Sequence, residues 1–166
     1  MLEAGYETLR SNLADDLLSH IAKCSPSFFE NLVVELLVSM GYGGSIADAG
    51  QTIGKSGDGG IDGIIKEDKL GLDVVYIQAK RWEGLVGAKE IRNFVGALAG
   101  QKANKGVFIT TSGFTKDALS FVQQIQQKVI LIDGQLLAQY MIDYDIGVSM
   151  EKAYQIKRVD HDYFEL

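Results

Sequence analysis

The sequence predicts an α/β sandwich, a central mixed β-sheet flanked by helices, and three observations lead there. Apolar residues recur at helical spacing in several separate segments, short β-rich runs lie between them, and two of those runs are joined by a hairpin-like connection. The resulting order is helix, helix, hairpin strands, helix, strand, helix, strand, helix. A sheet with helices packed on it accommodates that order.

Residues 2 to 22 place Leu2, Tyr6, Leu9, Leu13, Leu17 and Ile21 at helical spacing and predict an amphipathic helix. Ser25 followed by Pro26 is a helix start, an N-cap with proline at the first helical position. Phe29, Leu32, Val33, Leu36, Leu37 and Met40 then form one stripe that Gly41 stops. Glu30 lies at the margin of that stripe, about 90° from its centre at 3.6 residues per turn, so it can reach a pocket edge while its helix packs. Glu35 points away. Residues 43 to 60, GGSIADAGQTIGKSGDGG, read as a glycine-rich loop with room for one short strand. IDGII is the next strand, KEDKLGLD a hairpin connection, and VVYIQAK its partner. A helix over 87–102 follows, carried by Ile91, Phe94, Val95 and Leu98. GVFITT predicts a strand, Thr115 to Gln127 a helix, VILI a strand, and Gly134 to Asp143 the last helix. The chain is expected to be one domain over 1–166, with 1–24 an N-terminal helix and 144–166 a C-terminal extension.

Composition narrows the function classes. At 166 residues, 46% hydrophobic and 23% charged, the chain can bury a sizeable core. Its one cysteine, Cys24, allows neither an internal disulfide nor a cysteine-based zinc cluster, which suits a reducing cytoplasm. No apolar run approaches bilayer length, so neither membrane insertion nor export is indicated. A net charge of −6 argues against binding nucleic acid by bulk electrostatics. The distribution is uneven, however. Between Ala79 and Lys116 stand Lys80, Arg81, Lys89, Arg92, Lys102, Lys105 and Lys116 against only Glu83 and Glu90, a local balance of +5. Such a segment is either a set of solvated faces or a surface for phosphates.

Residues 49 to 56, AGQTIGKS, fit a relaxed phosphate-loop pattern that would suggest ATP or GTP binding. That loop needs a helix immediately after it, and the strand-like GDGGIDGII follows instead, so the nucleotide reading is set aside. Asp58 and Asp62 in SGDGGIDGII have glycines beside them, which permits close backbone approach to a ligand. The bland alternative is an aspartate-glycine turn, evenly balanced for Asp58 and weaker for Asp62. In VVYIQAKRW, alternation puts Gln78 and Lys80 on one face with Val74 and Tyr76. A polar strand end of this kind often means only that the strand is leaving the core. A hairpin would nevertheless bring Asp62 beside Gln78. An aspartate oxygen, an amide carbonyl, a main-chain carbonyl at Ala79 and waters make an all-oxygen shell suited to Mg2+, with Mn2+ as a substitute, and Lys80 would face the same pocket. His20 and His161 are isolated and predict surface or packing roles. Tyr76 and Trp82 are expected to be core or rim aromatics, although Trp82 beside Arg81 could touch nucleic acid.

GDGGIDG followed by YIQAKRW, with FFENLVVELLVSMGY upstream and KGVFITTSGFTKDA and ILIDGQLL downstream, resembles the catalytic domain of Mrr-like restriction endonucleases, members of the PD-(D/E)XK nuclease superfamily. The resemblance spans about 26–143. It implies a restriction-endonuclease-like sandwich and a Mg2+-dependent deoxyribonuclease acting in restriction or defence. By the resemblance, Asp62 is the motif aspartate and Gln78 stands at the usual acid position, the glutamine variant typical of Mrr-like members. Lys80 is then the motif lysine and Glu30 the acid from the preceding helix. Such proteins commonly carry a separate DNA-recognition domain. The residues before Ser25 are too few for one, so target choice is expected from a separate domain or subunit. DNA is the expected partner, and a homodimer the expected assembly, since cutting a duplex is simplest with two active sites. The competing reading is a catalytically inactive nucleic-acid or protein interaction module of a defence system. Retention of Asp62, Lys80 and Glu30 together argues against it.

Overall fold

The computed structural model describes residues 1–43 and 62–165. Helix α1 (Leu2–Ile21) leads into α2 (Pro26–Ser39), which opens as the sequence predicts: Ser25 Oγ accepts from the Phe28 N–H. Beyond its end Gly41 takes φ +106°, a left-handed conformation that side chains rarely adopt, and the chain turns out of the helix there. Strands β1 (Gly63–Lys66) and β2 (Val74–Lys80) form the expected hairpin, paired antiparallel with Gly63 opposite Ile77. Asp68 organises its turn by accepting from the N–H groups of Leu70, Leu72 and Asp73.

Helix α3 (Ala88–Gly100) crosses to β3 (Lys105–Thr110), and α4 (Lys116–Gln124) crosses to β4 (Lys128–Ile132). Both crossovers join parallel neighbours, so the four strands run β1-β2-β3-β4 in one mixed sheet. Helix α5 (Gly134–Asp143) follows, capped by Asp133.

The sheet buries a core on each face. Phe29, Leu36 and Leu37 of α2 and Leu137 and Met141 of α5 pack with Ile65, Ile77 and Ile109 on one face, joined by Leu17 and Ile21 of α1. Ile91, Phe94 and Leu98 of α3 and Ala118 of α4 pack on Tyr76, Phe108 and Val129 on the other. Burying each of the larger side chains contributes on the order of 2 kcal/mol. Gln78 and Lys80 continue the Tyr76 face, and Ala79 the Ile77 face.

Three features differ from expectation. Helix α4 ends at Gln124 rather than Gln127, because Ile125 turns extended to pack in the second core and Lys128 N–H already bonds the Asn104 carbonyl. The stripe of α1 is buried only in its C-terminal part; Leu2, Tyr6 and Leu9 are exposed. The C-terminal extension carries a one-turn helix, α6 (His161–Phe164), that the sequence pattern does not signal. Among the described residues no helix is long and apolar enough to cross a membrane.

Candidate active site

β2 outruns its hairpin partner. The β1–β2 register ends at Gly63 opposite Ile77, so Gln78, Ala79 and Lys80 extend past β1, and Asp62 turns in beside them. Asp62 is held there twice: its N–H donates to the Ile77 carbonyl at 2.8 Å, and its Oδ2 accepts from the Ala79 N–H at 2.6 Å. The hairpin has therefore brought 62 and 78 together as the sequence implies. Gln78 is 6% exposed, and Thr110 is the other buried polar residue among those described. Among the described residues Gln78 has no side-chain hydrogen-bond partner, and its amide oxygen is of a type that can serve as a ligand.

Burial raises the Asp62 carboxyl above its ordinary range, outweighing the Ala79 N–H and the Lys80 charge, which both lower it. Glu30, near the start of α2, is raised as well, first by desolvation and then by the negative charge of Asp62. Glu30 and Asp62 thus lie close enough to feel one another. Two carboxylates that desolvation disfavours, one of them further raised by the charge of the other, are a pair a hard cation would relieve. The donor atoms fit such an ion: Asp62 and Glu30 oxygens, the Gln78 amide oxygen and the Ala79 carbonyl. Among the described residues no three His, Cys, Asp or Glu side chains gather.

Lys80 is fixed by contacts that the sequence did not disclose. Its Nζ donates to Glu90 Oε2 at 3.2 Å and lies 4.6 Å from the centre of the Trp82 ring. Glu90 stands in the first turn of α3, and the only sequence signal for it is its place in that turn. Trp82, 40% exposed, is a rim aromatic as expected. The loop bearing it is pinned from the end of β3: Thr111 Oγ1 donates to the Trp82 carbonyl at 3.0 Å and Ser112 Oγ to the Gly84 carbonyl at 2.7 Å. Val86 N–H donates to Gly113 O, and Thr115 N–H to Val86 O.

The basic segment does not form one surface. Lys105 begins β3, at the end of the sheet away from Lys80, and pairs with Glu67 at 2.6 Å and Asp73 at 3.3 Å. Arg81 donates to the Ala22 carbonyl and ties β2 to the end of α1. Arg92 sits over Phe121. Asp58 and the 49–56 segment lie outside the described residues. His20 is exposed beside Asp16, and His161 is exposed in α6.

A family model described as "Restriction endonuclease", for the Mrr catalytic domain, matches residues 21–141. The type IV methyl-directed restriction enzyme EcoKMrr of Escherichia coli strain K12 is 48% identical over 164 residues, 99% of this chain and 53% of that protein. The chain therefore spans about half the length of this curated relative. Among solved structures, the DNA modification-dependent restriction endonuclease AspBHI aligns with a TM-score of 0.61 at 21% identity, over 84% of this chain and 36% of that one, a likeness of fold. The restriction endonuclease MspJI, solved with a 27-mer oligonucleotide, aligns over 83% of this chain and 30% of its own at 25% identity and a TM-score of 0.48.

Proposed function

The chain belongs to the restriction endonuclease family, and on that premise we propose that it is a metal-dependent nuclease hydrolysing DNA phosphodiester bonds in restriction or defence. What supports the reading is the convergence of Asp62, Gln78, Ala79 and Lys80 where β2 outruns β1, with Glu30 close enough to feel the charge of Asp62. Asp62, Gln78 and the Ala79 carbonyl would hold Mg2+, or Mn2+ in its place, and Glu30 would support it directly or through water. Bound there, the ion would polarise the scissile phosphate and lower the pKa of its water. Lys80 orients the attacking water and stabilises the negative charge that develops on the phosphate. The Ala79 N–H fixes one oxygen of Asp62, and the other would face the ion.

The described elements form one sheet and its helices, which supports a single domain over 1–166, and target choice would come from a separate specificity domain or subunit. Methylated DNA is the first substrate to test, because the relative from E. coli is named as methyl-directed. Cutting both strands is simplest with two copies, and sedimentation should show a homodimer; a monomer with and without DNA would reject that. A cytoplasmic location accords with this role.

The deciding experiment incubates methylated and unmethylated plasmid with the protein in Mg2+, Mn2+ or EDTA, beside Asp62→Ala. Cleavage by wild type in Mg2+ or Mn2+ alone, lost in the variant, is expected. Equal cleavage by both would sink the site assignment. DNA binding without cleavage would leave an inactive interaction module.

A further inference from the structure

We propose that Glu90 is a positioning residue for Lys80, holding its ammonium in place from helix α3 before DNA arrives; the inference rests on the nuclease reading above. Lysine carries its charge on a four-carbon stem, and ordering that stem costs about 2 kcal/mol of rotamer freedom. Two contacts supply the order in advance. Glu90 Oε2 receives one of the three ammonium protons at 3.2 Å, and the Trp82 ring faces the same nitrogen at 4.6 Å. Both side chains of the ion pair are about a quarter exposed, so the pair is partly shielded from water and yet open to a ligand. Among the described residues the remaining ammonium protons meet no other acceptor, and the Lys80 charge already influences the carboxyl of Asp62.

Glu90 is itself rigidly mounted. It precedes Ile91, which with Phe94 and Leu98 is buried under the sheet, so the helix backbone that carries the carboxylate is anchored by the second core. Trp82 is equally constrained, since Thr111 grips its carbonyl. The arrangement is a clamp built from α3 and the β2–α3 loop upon the last residue of β2. A merely solvated surface pair would have neither the aromatic face nor the buried support.

Two measurements test this without depending on one another. The first labels the metal-free protein with acetic anhydride and follows each lysine by mass spectrometry. Glu90→Ala and Glu90→Gln should raise labelling of Lys80 several-fold while Lys89 and Lys116 keep their wild-type rates. The second measures plasmid cleavage. Because displacement of a reacting group by about 1 Å can cost on the order of 100-fold, Glu90→Ala should lower kcat by roughly 10- to 100-fold with the KM for DNA within about twofold. Glu90→Asp should recover part of the rate. Unchanged labelling of Lys80 overturns the clamp. A kcat equal to wild type, or raised, overturns the positioning role, and a rise would show that Glu90 instead sequesters the lysine. If wild type itself cleaves nothing, the nuclease reading fails, and the labelling result still decides whether the clamp exists.

Discussion

Gly134→Ala should destabilise the protein, although it places a better helix former in a helix. Gly134 opens α5 directly after the Asp133 cap, and its N–H donates to the Ser112 carbonyl at 2.9 Å. A Cβ added there would lie 2.1 Å from the Thr111 carbonyl oxygen, about 1.3 Å inside the 3.4 Å at which ordinary contact begins. Its φ is not positive, so glycine is required for space and not for backbone freedom. Alanine gains at most about 1 kcal/mol in helix propensity. Overpacking costs about 1–3 kcal/mol, and the upper part of that range applies because the obstacle is main chain that cannot rotate aside. The net loss should be about 1–2 kcal/mol, lowering Tm by roughly 2–8 °C for a domain of this size. Gly96→Ala supplies the calibration: Gly96 is exposed within α3 with nothing within 4 Å of an added Cβ, so propensity alone should stabilise it by about 0.5–1 kcal/mol. Urea denaturation of both variants measures the two signs. Equal or greater stability of Gly134→Ala would refute the argument that the packing of α5 against the Thr111–Ser112 strut decides this position. Cleavage should fall too, because Thr111 holds the Trp82 loop against Lys80.

Other expectations concern charge. Since burial raises Asp62, its ionised form opposes folding: the stability it allows at low pH is lost as pH climbs from 3.8 through the raised value. Asp62→Asn should then match or exceed wild type in Tm at neutral pH, and only wild type should gain stability from Mg2+, by about 1.4 kcal/mol at tenfold excess over Kd; a Mg2+ shift in the variant would refute this. Gln78→Glu should keep or tighten Mg2+ binding in calorimetry while Gln78→Ala loses it, and identical titrations would mean the buried amide is no ligand. Turnover of Gln78→Glu should nevertheless fall, since a carboxylate beside Lys80 would draw it from the water it orients. Asp68 is lowered by the Asp73 N–H first and then the Leu72 N–H, so its contribution is complete above 3.8 and lost as pH falls below it. Wild type and Asp68→Asn should accordingly differ in Tm at neutral pH and converge in acid, and a constant gap would refute the hairpin role. DNA binding should be weak and weaken further with salt, and tight binding indifferent to salt would contradict it.

The elements were legible where the signal is local. Ser25-Pro26 marked the start of α2 because a cap and a fixed φ act within one turn, and the acidic, glycine-containing KEDKLGLD marked the hairpin. Most of the site was legible for the same reason: alternation along one strand fixes Gln78 and Lys80 to one face, and a tight hairpin leaves Asp62 little choice of neighbour. What escaped is set by contacts across the fold. Glu90 lies only ten positions from Lys80, but its role depends on where α3 crosses the sheet, and in the sequence it is one charge offsetting another. The exposed N-terminal part of α1 escaped similarly, since periodicity states that a face is apolar and not what covers it.

Charge counting failed most instructively in the basic segment, whose seven cations looked like a surface for phosphates. A run of sequence that includes β2's end, a crossover helix and all of β3 must visit both ends of a parallel strand pair, because the crossover returns the chain to the starting edge. Lys80 and Lys105 therefore stand at opposite ends of the sheet, and Lys105 is engaged by Glu67 and Asp73. Arg81 is spent on the Ala22 carbonyl. With Lys105 and Arg81 so engaged, a chain of net charge −6 would depend on local geometry, the Glu90-held ammonium beside Asp62, for what bulk charge cannot do.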